Sequence, residues 1–379
     1  STPIWSEITA CRETFRQTGK DGDMTRKKII ALGGDGVGPE VMEVTCHILE
    51  TAGFDLEIVK PLCGMEAFKA QGNAFPDEAK RLCEESDAIL FGAAEGPSVA
   101  ILVYLRWFMD NYINLRPVKY YPGALSPLKN PDGINFMLIR ENSEGMYPGR
   151  EGDISWLARK MPDYKDPFDR TLDFYGEGKF ALRLITRKGT DRIAKYAANL
   201  ARERRAQGFA GKVTCITKSN VLRQSCGFFQ KIVEEEVKKT PGIGYEHFHV
   251  DDAARRLIRF PRDFDVIVTS NMFGDILADE AGEMVGGLGI APSACLGGRK
   301  PYFEPVHGSA PDIAGKGVAN PTAMVLSAKM MLDYLGMKDE AQALEKAVAK
   351  VYGEGKHLTA DQGGTATTKK MAEAVLEKI

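Results

Sequence analysis

Four features are missing from this sequence, and each absence excludes a class of protein. There is no Cys-x-x-Cys pair; the seven cysteines (Cys11, Cys46, Cys63, Cys83, Cys215, Cys226 and Cys295) are odd in number and scattered. That pattern argues against a zinc ribbon or a disulfide framework and predicts reduced thiols in a cytoplasmic compartment. There is no basic tract: Lys+Arg is 50 against Asp+Glu 52, and the short runs at 202–205 and 255–256 read as solvated helix faces, so no nucleic-acid partner is expected. There is no membrane span, because the longest apolar stretch, 89–105, is interrupted by Glu95, Gly96 and Pro97. Finally, no internal repeat or low-complexity segment occurs. What is there is ordinary for a globular chain: 379 residues, 44% hydrophobic and 27% charged, enough for one large or two average domains.

The first 23 residues carry no continuous apolar segment and read neither as a secretory signal nor as a periodic element. Met24, followed by Thr-Arg-Lys-Lys, reads as a second possible start, and 1–24 as an appendage. From Lys27 onward the chain alternates. Apolar or β-branched runs at 29–32, 55–59, 88–91, 136–139, 213–216 and 266–269 predict strands, and amphipathic segments at 39–52, 77–85, 191–205, 228–239 and 322–335 predict helices. This alternation predicts an α/β protein with open sheets. The stretch 148–180 breaks the rhythm. It is rich in Gly, Pro and Asp, but Trp156, Tyr164, Phe168, Phe174 and Tyr175 favour an ordered arm at a subunit contact over a linker.

The glycine-rich turn after the first strand fails as a dinucleotide fingerprint, since after Gly34-x-Gly36 the third glycine position holds Pro39. It reads equally as a tight structural turn or a cofactor loop. A stronger constellation is 271–279, in which a helix starting near Phe273 puts Asp275 and Asp279 on one face. Two carboxylates so spaced suit a hard divalent cation, Mg²⁺ or Mn²⁺, or else simply complement the helix dipole. Asp251 and Asp252 follow a strand end bearing His247 and His249. Arg106 and Arg116 flank an aromatic helix over 104–112, and Arg140 follows an apolar strand. Guanidinium forks bind carboxylates in pairs, so converging arginines point to a di- or tricarboxylate. Lys218 ends a strand, where a nearby cation could make it a base. The segment 304–312 with Asn320-Pro321 predicts a polar loop.

Six separated motifs occur in order: GDGVGPEV at 34–41, LR…NLRP at 105–117, RENSEGMY at 140–147, KSNV at 218–221, FGDILAD at 273–279 and EPVHGSAPDIAGKGVANP at 304–321. Together they resemble the β-decarboxylating dehydrogenase family, which comprises isopropylmalate, isocitrate, homoisocitrate and tartrate/malate dehydrogenases. The resemblance runs from about Lys27 to the last residue and implies that family's two-domain α/β fold, distinct from the usual Rossmann arrangement. The expected divisions are 25–111 with 286–379 for the cofactor-binding domain and 112–285 for the substrate and dimerisation domain. It also implies roles. Arg106, Arg116 and Arg140 would bind the malate carboxylates. Asp275 and Asp279 would hold Mg²⁺ or Mn²⁺ with Asp251 from a second subunit of a homodimer, and that subunit would also give Lys218 as the base. Tyr147 would protonate the enol carbon. Asn220, His307, Gly308, Ser309, Ala310, Asp312 and Asn320 would line the cofactor site.

Asp312 is followed by Ile313 where NADP-using relatives carry a Lys-Tyr pair, so NAD is expected. The residues before the first arginine, including Leu102 and Val103, are apolar; the Ser and Asn of an isocitrate site are missing, and Val103 stands where homoisocitrate enzymes have Arg. A 3-isopropylmalate-like substrate is expected. Val99, where isopropylmalate enzymes usually have Glu, and the RENSEG segment keep tartrate, D-malate and (homo)isocitrate as alternatives. A non-catalytic regulatory subunit is the alternative from another class, and the presence of every site residue named above argues against it.

Overall fold

The computed structural model describes residues 26–379, so the 1–24 appendage and Cys11 lie outside the described residues. One ten-stranded sheet organises the chain, in the order β2-β1-β3-β12-β11-β4-β5-β10-β8-β9. These strands are β1 Lys27–Gly34, β2 Leu56–Val59, β3 Ala88–Ala93, β4 Ile113–Lys119, β5 Asn135–Glu141, β8 Lys212–Thr217, β9 Gly244–His249, β10 Val266–Thr269, β11 Pro292–Leu296 and β12 Tyr302–Pro305. The flanks are parallel, β2 with β1 and β3 on one side and β5, β10, β8 and β9 on the other. They meet through an antiparallel centre, β12-β11-β4-β5. The expected open α/β architecture is thus realised as one continuous sheet.

Parallel neighbours need crossover helices on the faces of the sheet, and their strands are buried on both sides. Accordingly Ile29–Leu32 of β1 and all of β3 and β10 are inaccessible, covered by helices such as Gly38–Thr51, Arg187–Ala206, Ser225–Lys238 and Thr322–Leu335. Their boundaries lie within a few residues of those read from the sequence. Four strands, β4, β9, β11 and β12, have no counterpart among the apolar runs. In β4 the reason is visible, because Asn114 and Arg116 are buried and interrupt its apolar pattern.

The segment 148–180 is an ordered arm. β6 Glu151–Asp153 and β7 Lys179–Ala181 form an antiparallel ribbon, with the helix Ile154–Lys160 and the turn Leu172–Tyr175 between them. Trp156 stacks on Phe180 at 6.0 Å between ring centres, and Arg170 lies over both Phe168 and Phe174. The arm nevertheless leaves Phe168 75% and Phe174 63% exposed. Cys46, Cys63, Cys83, Cys215, Cys226 and Cys295 are free and buried, as expected of reduced thiols. No helix among the described residues is long and apolar enough to cross a membrane.

Candidate active site

Three buried arginines meet where the antiparallel centre of the sheet adjoins its second flank. Arg140 is the penultimate residue of β5, inside the strand rather than after it, and is 1% exposed. Arg116 lies within β4. Arg106 sits in a π-helical turn, Tyr104–Phe108, that continues the short helix Val99–Val103. The expectation of an aromatic helix over 104–112 flanked by two arginines is therefore corrected. The helix widens at Tyr104 and ends at Phe108, Arg106 is inside it, and Asp110 turns the chain with φ of 57°. The physical reason is a competing acceptor arrangement: the Asn111 side chain donates to the Leu105 carbonyl at 2.7 Å and to that of Lys300 at 2.8 Å, pulling the chain out of the helix.

Like charges this close disfavour one another. Burial first, then Arg116 and Arg106, lower the Arg140 pKa to about 10. Acids answer them. Arg140 donates to Asp275, while Arg116 reaches Asp279 at 3.4 Å and Asp275 at 3.5 Å. Arg106 lies 3.7 Å from Glu304, which is the third residue of β12 rather than part of the loop expected there. Even so, Arg106 Nε and Arg140 Nη2 are buried donors without a partner.

Asp275 and Asp279 belong to the helix Asn271–Met284, which starts two residues before the expected position and keeps both on one face. This helix can cross directly over β5 because residue 274 is glycine; a Cβ there would come 2.7 Å from the Cβ of Arg140. Asn271 fixes its start, accepting from Arg140 Nε at 2.9 Å and donating to the Glu144 carbonyl at 3.0 Å. The two aspartates are shifted in opposite directions. Burial opposes ionisation of Asp275, but Arg140, the Tyr147 hydroxyl and Arg116 outweigh it and hold its pKa below the usual range. Burial raises Asp279, with Arg116 opposing and the charge of Asp275 adding to the rise.

Tyr147 reaches the same cluster. Beyond β5 the chain reverses around the buried Glu141 carboxylate, which accepts from the amides of Ser143 at 3.0 Å and Glu144 at 2.9 Å. The turn delivers the Tyr147 hydroxyl to Asp275 Oδ2 at 2.5 Å, with the Arg140 guanidinium 4.9 Å from its ring centre.

Lys218, one residue past β8, forms an ion pair with Asp251 in the first turn of the helix Val250–Arg259. Among the described residues, the Lys218–Asp251 pair is not joined to the arginine–aspartate cluster by a hydrogen bond or ion pair, and no three His, Cys, Asp or Glu side chains gather closely enough to hold a metal ion. His247 accepts or donates at 2.8 Å with Thr217 Oγ1 and packs edge-on to His249.

The third predicted group lies on the loop after β12. The glycine turn is its buttress: Gly36 has φ of 61°, a Cβ there would collide with the Ser309 carbonyl, and that carbonyl accepts from the Val37 amide at 2.8 Å. The turn thus has a structural task, and it supports the loop carrying His307, Gly308, Ser309, Ala310 and Asp312. His307 Nδ1 donates to the Gly308 carbonyl at 2.9 Å, and Asp312 is exposed. The Asn320 side chain is already committed, donating to Asp361 at 2.9 Å and Tyr352 at 3.1 Å and accepting from the Thr322 amide at 3.0 Å. Asn220 lies on the turn just after Lys218. Asn114, which accepts from Arg116 Nε at 2.9 Å, and Arg183, which donates to Ser270 just before the aspartate helix, carry no local sequence signal that distinguishes them.

A family model described as isocitrate/isopropylmalate dehydrogenase matches residues 28–375. The 3-isopropylmalate/3-methylmalate dehydrogenase of Methanocaldococcus jannaschii is 43% identical, over 93% of this chain and 98% of its own length. The homoisocitrate dehydrogenase of the same organism is 39% identical over 93% and 97%. The crystal structure of isocitrate dehydrogenase from Methylococcus capsulatus has a TM-score of 0.80 at 33% identity, covering 93% of this chain and 99% of that one.

Proposed function

This chain belongs to the isocitrate/isopropylmalate dehydrogenase family, and from that premise we propose that it oxidatively decarboxylates a 3-substituted malate with NAD⁺ and a divalent metal ion, releasing CO₂ and a 2-oxo acid. The observation that carries this reading is the set of three clustered arginines with two buried donors, Arg106 Nε and Arg140 Nη2, still unspent. Buried guanidinium donors without acceptors are costly, and the carboxylates of a malate unit would satisfy them.

The substituent is read from the helix before Arg106. Val99 and Val103 are four residues apart and 44% and 42% exposed, and Leu102 is half-buried. An apolar wall leaves a distal carboxylate without a partner, so an alkyl group such as isopropyl is favoured. The names of the relatives support a malate carrying a substituent at C3.

Asp275 and Asp279 fit part of an oxygen shell for Mg²⁺ or Mn²⁺, and Asp251 of the partner subunit would complete it. When bound there, the ion would supply Lewis-acid polarisation of the substrate hydroxyl and carbonyl oxygens, and NAD⁺, which the loop 307–312 with Asn220 and Asn320 would hold, would supply the hydride acceptor. The chain's own residues do the rest. Arg106, Arg116 and Arg140 orient the carboxylates, Lys218 accepts the hydroxyl proton, and Tyr147 returns a proton to the substrate carbon. Burial, and then the bond to Asp275, raise the Tyr147 pKa, so the phenol keeps that proton at neutral pH.

A homodimer with shared sites follows from this reading, because the Lys218–Asp251 pair stands apart from the cluster within one chain. Val221, Ile276 and Ile258 are 65%, 60% and 56% exposed near these groups in sequence, as befits a surface that a second copy covers. The divisions at 111–112 and 285–286 are our reading of where the cofactor and substrate halves meet. For the cofactor, the exposed Asp312 suits ribose hydroxyls and repels a 2′-phosphate. The test is a steady-state assay of the purified chain with Mn²⁺ on isopropylmalate, D-malate, tartrate, isocitrate and homoisocitrate, with NAD⁺ and NADP⁺. Highest kcat/KM on isopropylmalate with NAD⁺ is expected; preference for NADP⁺ or for a tricarboxylate would refute that part of the reading.

A further inference from the structure

Arg183 stands where the arm returns to the body of the protein. Its backbone neighbours pair on either side of the turn that carries Tyr147: Gly145 and Leu184 exchange hydrogen bonds at 3.0 and 3.3 Å, and the Leu182 amide donates to the Arg150 carbonyl at 2.8 Å. Its half-buried side chain then reaches two further elements. One terminal nitrogen donates to Ser225 Oγ at 3.0 Å and to Cys226 Sγ at 3.4 Å, at the start of the helix Ser225–Lys238. The other donates to Ser270 Oγ at 3.1 Å, the residue that precedes the helix carrying Asp275 and Asp279. The guanidinium carbon lies 5.5 Å from the centre of the Phe273 ring in that helix. Cys226 Sγ in turn accepts from the backbone amide of Lys218 at 3.4 Å, so the lysine's own peptide is tied to the group that Arg183 grips.

We propose that Arg183 is a positioning residue that sets the Tyr147 turn, the Lys218 loop and the Asp275/Asp279 helix in mutual register. These three elements are far apart in sequence, and Arg183 is bonded to or continuous with each. Charged hydrogen bonds in a half-buried setting are stronger than neutral ones, and a planar fork with fixed donor directions can hold two elements at a defined spacing. Small displacements of reacting groups cost rate steeply, so losing this fork lowers turnover while leaving the cofactor loop after β12 untouched. If Lys218 serves the partner's substrate, as in the dimer read above, one guanidinium braces groups of both sites.

The inference rests on the proposed roles of Tyr147 and Lys218, and its test keeps the two apart. Arg183→Ala, Arg183→Lys and Lys218→Ala are compared as full-length proteins for kcat, KM for NAD⁺ and Tm. We expect Arg183→Ala to lose about 10- to 100-fold in kcat, the range of one or two charged hydrogen bonds, with KM for NAD⁺ within about twofold of wild type. Arg183→Lys should recover part of the loss, and millimolar guanidinium should restore part of the activity of Arg183→Ala, which a general loss of folding would not allow. Wild-type turnover in Arg183→Ala beside an inactive Lys218→Ala overturns the inference alone. So does a kcat loss that tracks a fall in Tm and resists both the lysine variant and guanidinium. A fully active Lys218→Ala overturns the functional reading itself.

Discussion

The Tyr147 hydroxyl and the Asp275 carboxylate share a 2.5 Å hydrogen bond, although 128 residues separate them in the chain. Burial and then this bond raise the phenol's pKa, and the bond points the hydroxyl into the arginine cluster. Replacing the hydroxyl by hydrogen in Tyr147→Phe leaves the ring over Arg140 and removes the proposed acid together with its bond to Asp275. We expect kcat to fall about 10²- to 10⁴-fold, the usual weight of a general acid, with KM for NAD⁺ nearly unchanged. Steady-state kinetics at saturating metal checks this, and turnover within threefold of wild type would remove Tyr147 from the proton path.

Asp279 is the more exposed of the two aspartates, its side chain 57% accessible against 33% for Asp275. Asp279→Asn keeps its shape and removes a charge from the shell proposed for the ion. The Mn²⁺ concentration for half-maximal activity should rise at least about tenfold, as expected for losing a charged ligand. Wild-type activity should vanish in excess EDTA and return when Mn²⁺ or Mg²⁺ is restored. Activity that survives chelation would show that no divalent ion takes part.

Gly36 supports the loop after β12 from below, where both its φ of 61° and the Ser309 carbonyl forbid a side chain. Gly36→Ala must displace residues 306–312 or strain the turn by about 1 to 2 kcal/mol. The expected signature is a several-fold rise in KM for NAD⁺ with kcat at saturating cofactor preserved. NADH fluorescence titration provides an independent readout, and unchanged cofactor affinity would mean that this loop does not bind it.

Glu345 joins β4 and the turn after it to a helix near the end of the chain: it accepts from Lys119 at 2.7 Å and Tyr121 at 3.0 Å and pairs with Lys329 at 3.1 Å. Burial opposes its charge, but Lys329 and Lys119 prevail and lower its pKa from 4.5 to about 2. A depressed carboxylate pKa gives stability that is present above the unfolded value and is lost as pH falls through the folded one. The contribution, at most ~3 kcal/mol, should be full above pH 4.5 and fade towards pH 2. Urea unfolding of wild type and Glu345→Gln should therefore differ most at neutral pH and converge in acid. A gap that widened on acidification would contradict the pairing.

Local signals made part of this molecule readable in advance. Asp275 and Asp279 are separated by one helical turn, Lys218 follows a β-branched run, and β1, β3, β5, β8 and β10 are apolar runs of strand length. Such features depend on neighbours a few residues away. The antiparallel centre was harder to read because its strands turn polar side chains inward: Asn114, Arg116 and Ser293 are buried there, and the apolar pattern that marks a strand is broken where the site is built. The arm was recognisable as ordered from its aromatics, whereas its ribbon pairing depends on residues 151 and 181 meeting.

The amino-acid sequence by itself determined the α/β class, the family and the identities of the acids, arginines, tyrosine and lysine to which the proposed chemistry is assigned. Only the tertiary structure decided which arginine faces which acid, that the glycine turn is a buttress for the loop after β12, that Arg106 lies inside a widened helical turn, and that Arg183 reaches both Ser225–Cys226 and Ser270. The reason is physical. Helical periodicity and chain turns are set by bonds and sterics over a few residues, whereas hydrogen bonds across more than a hundred residues exist only once the order of the strands, a result of packing summed over the whole core, has brought their ends to one place.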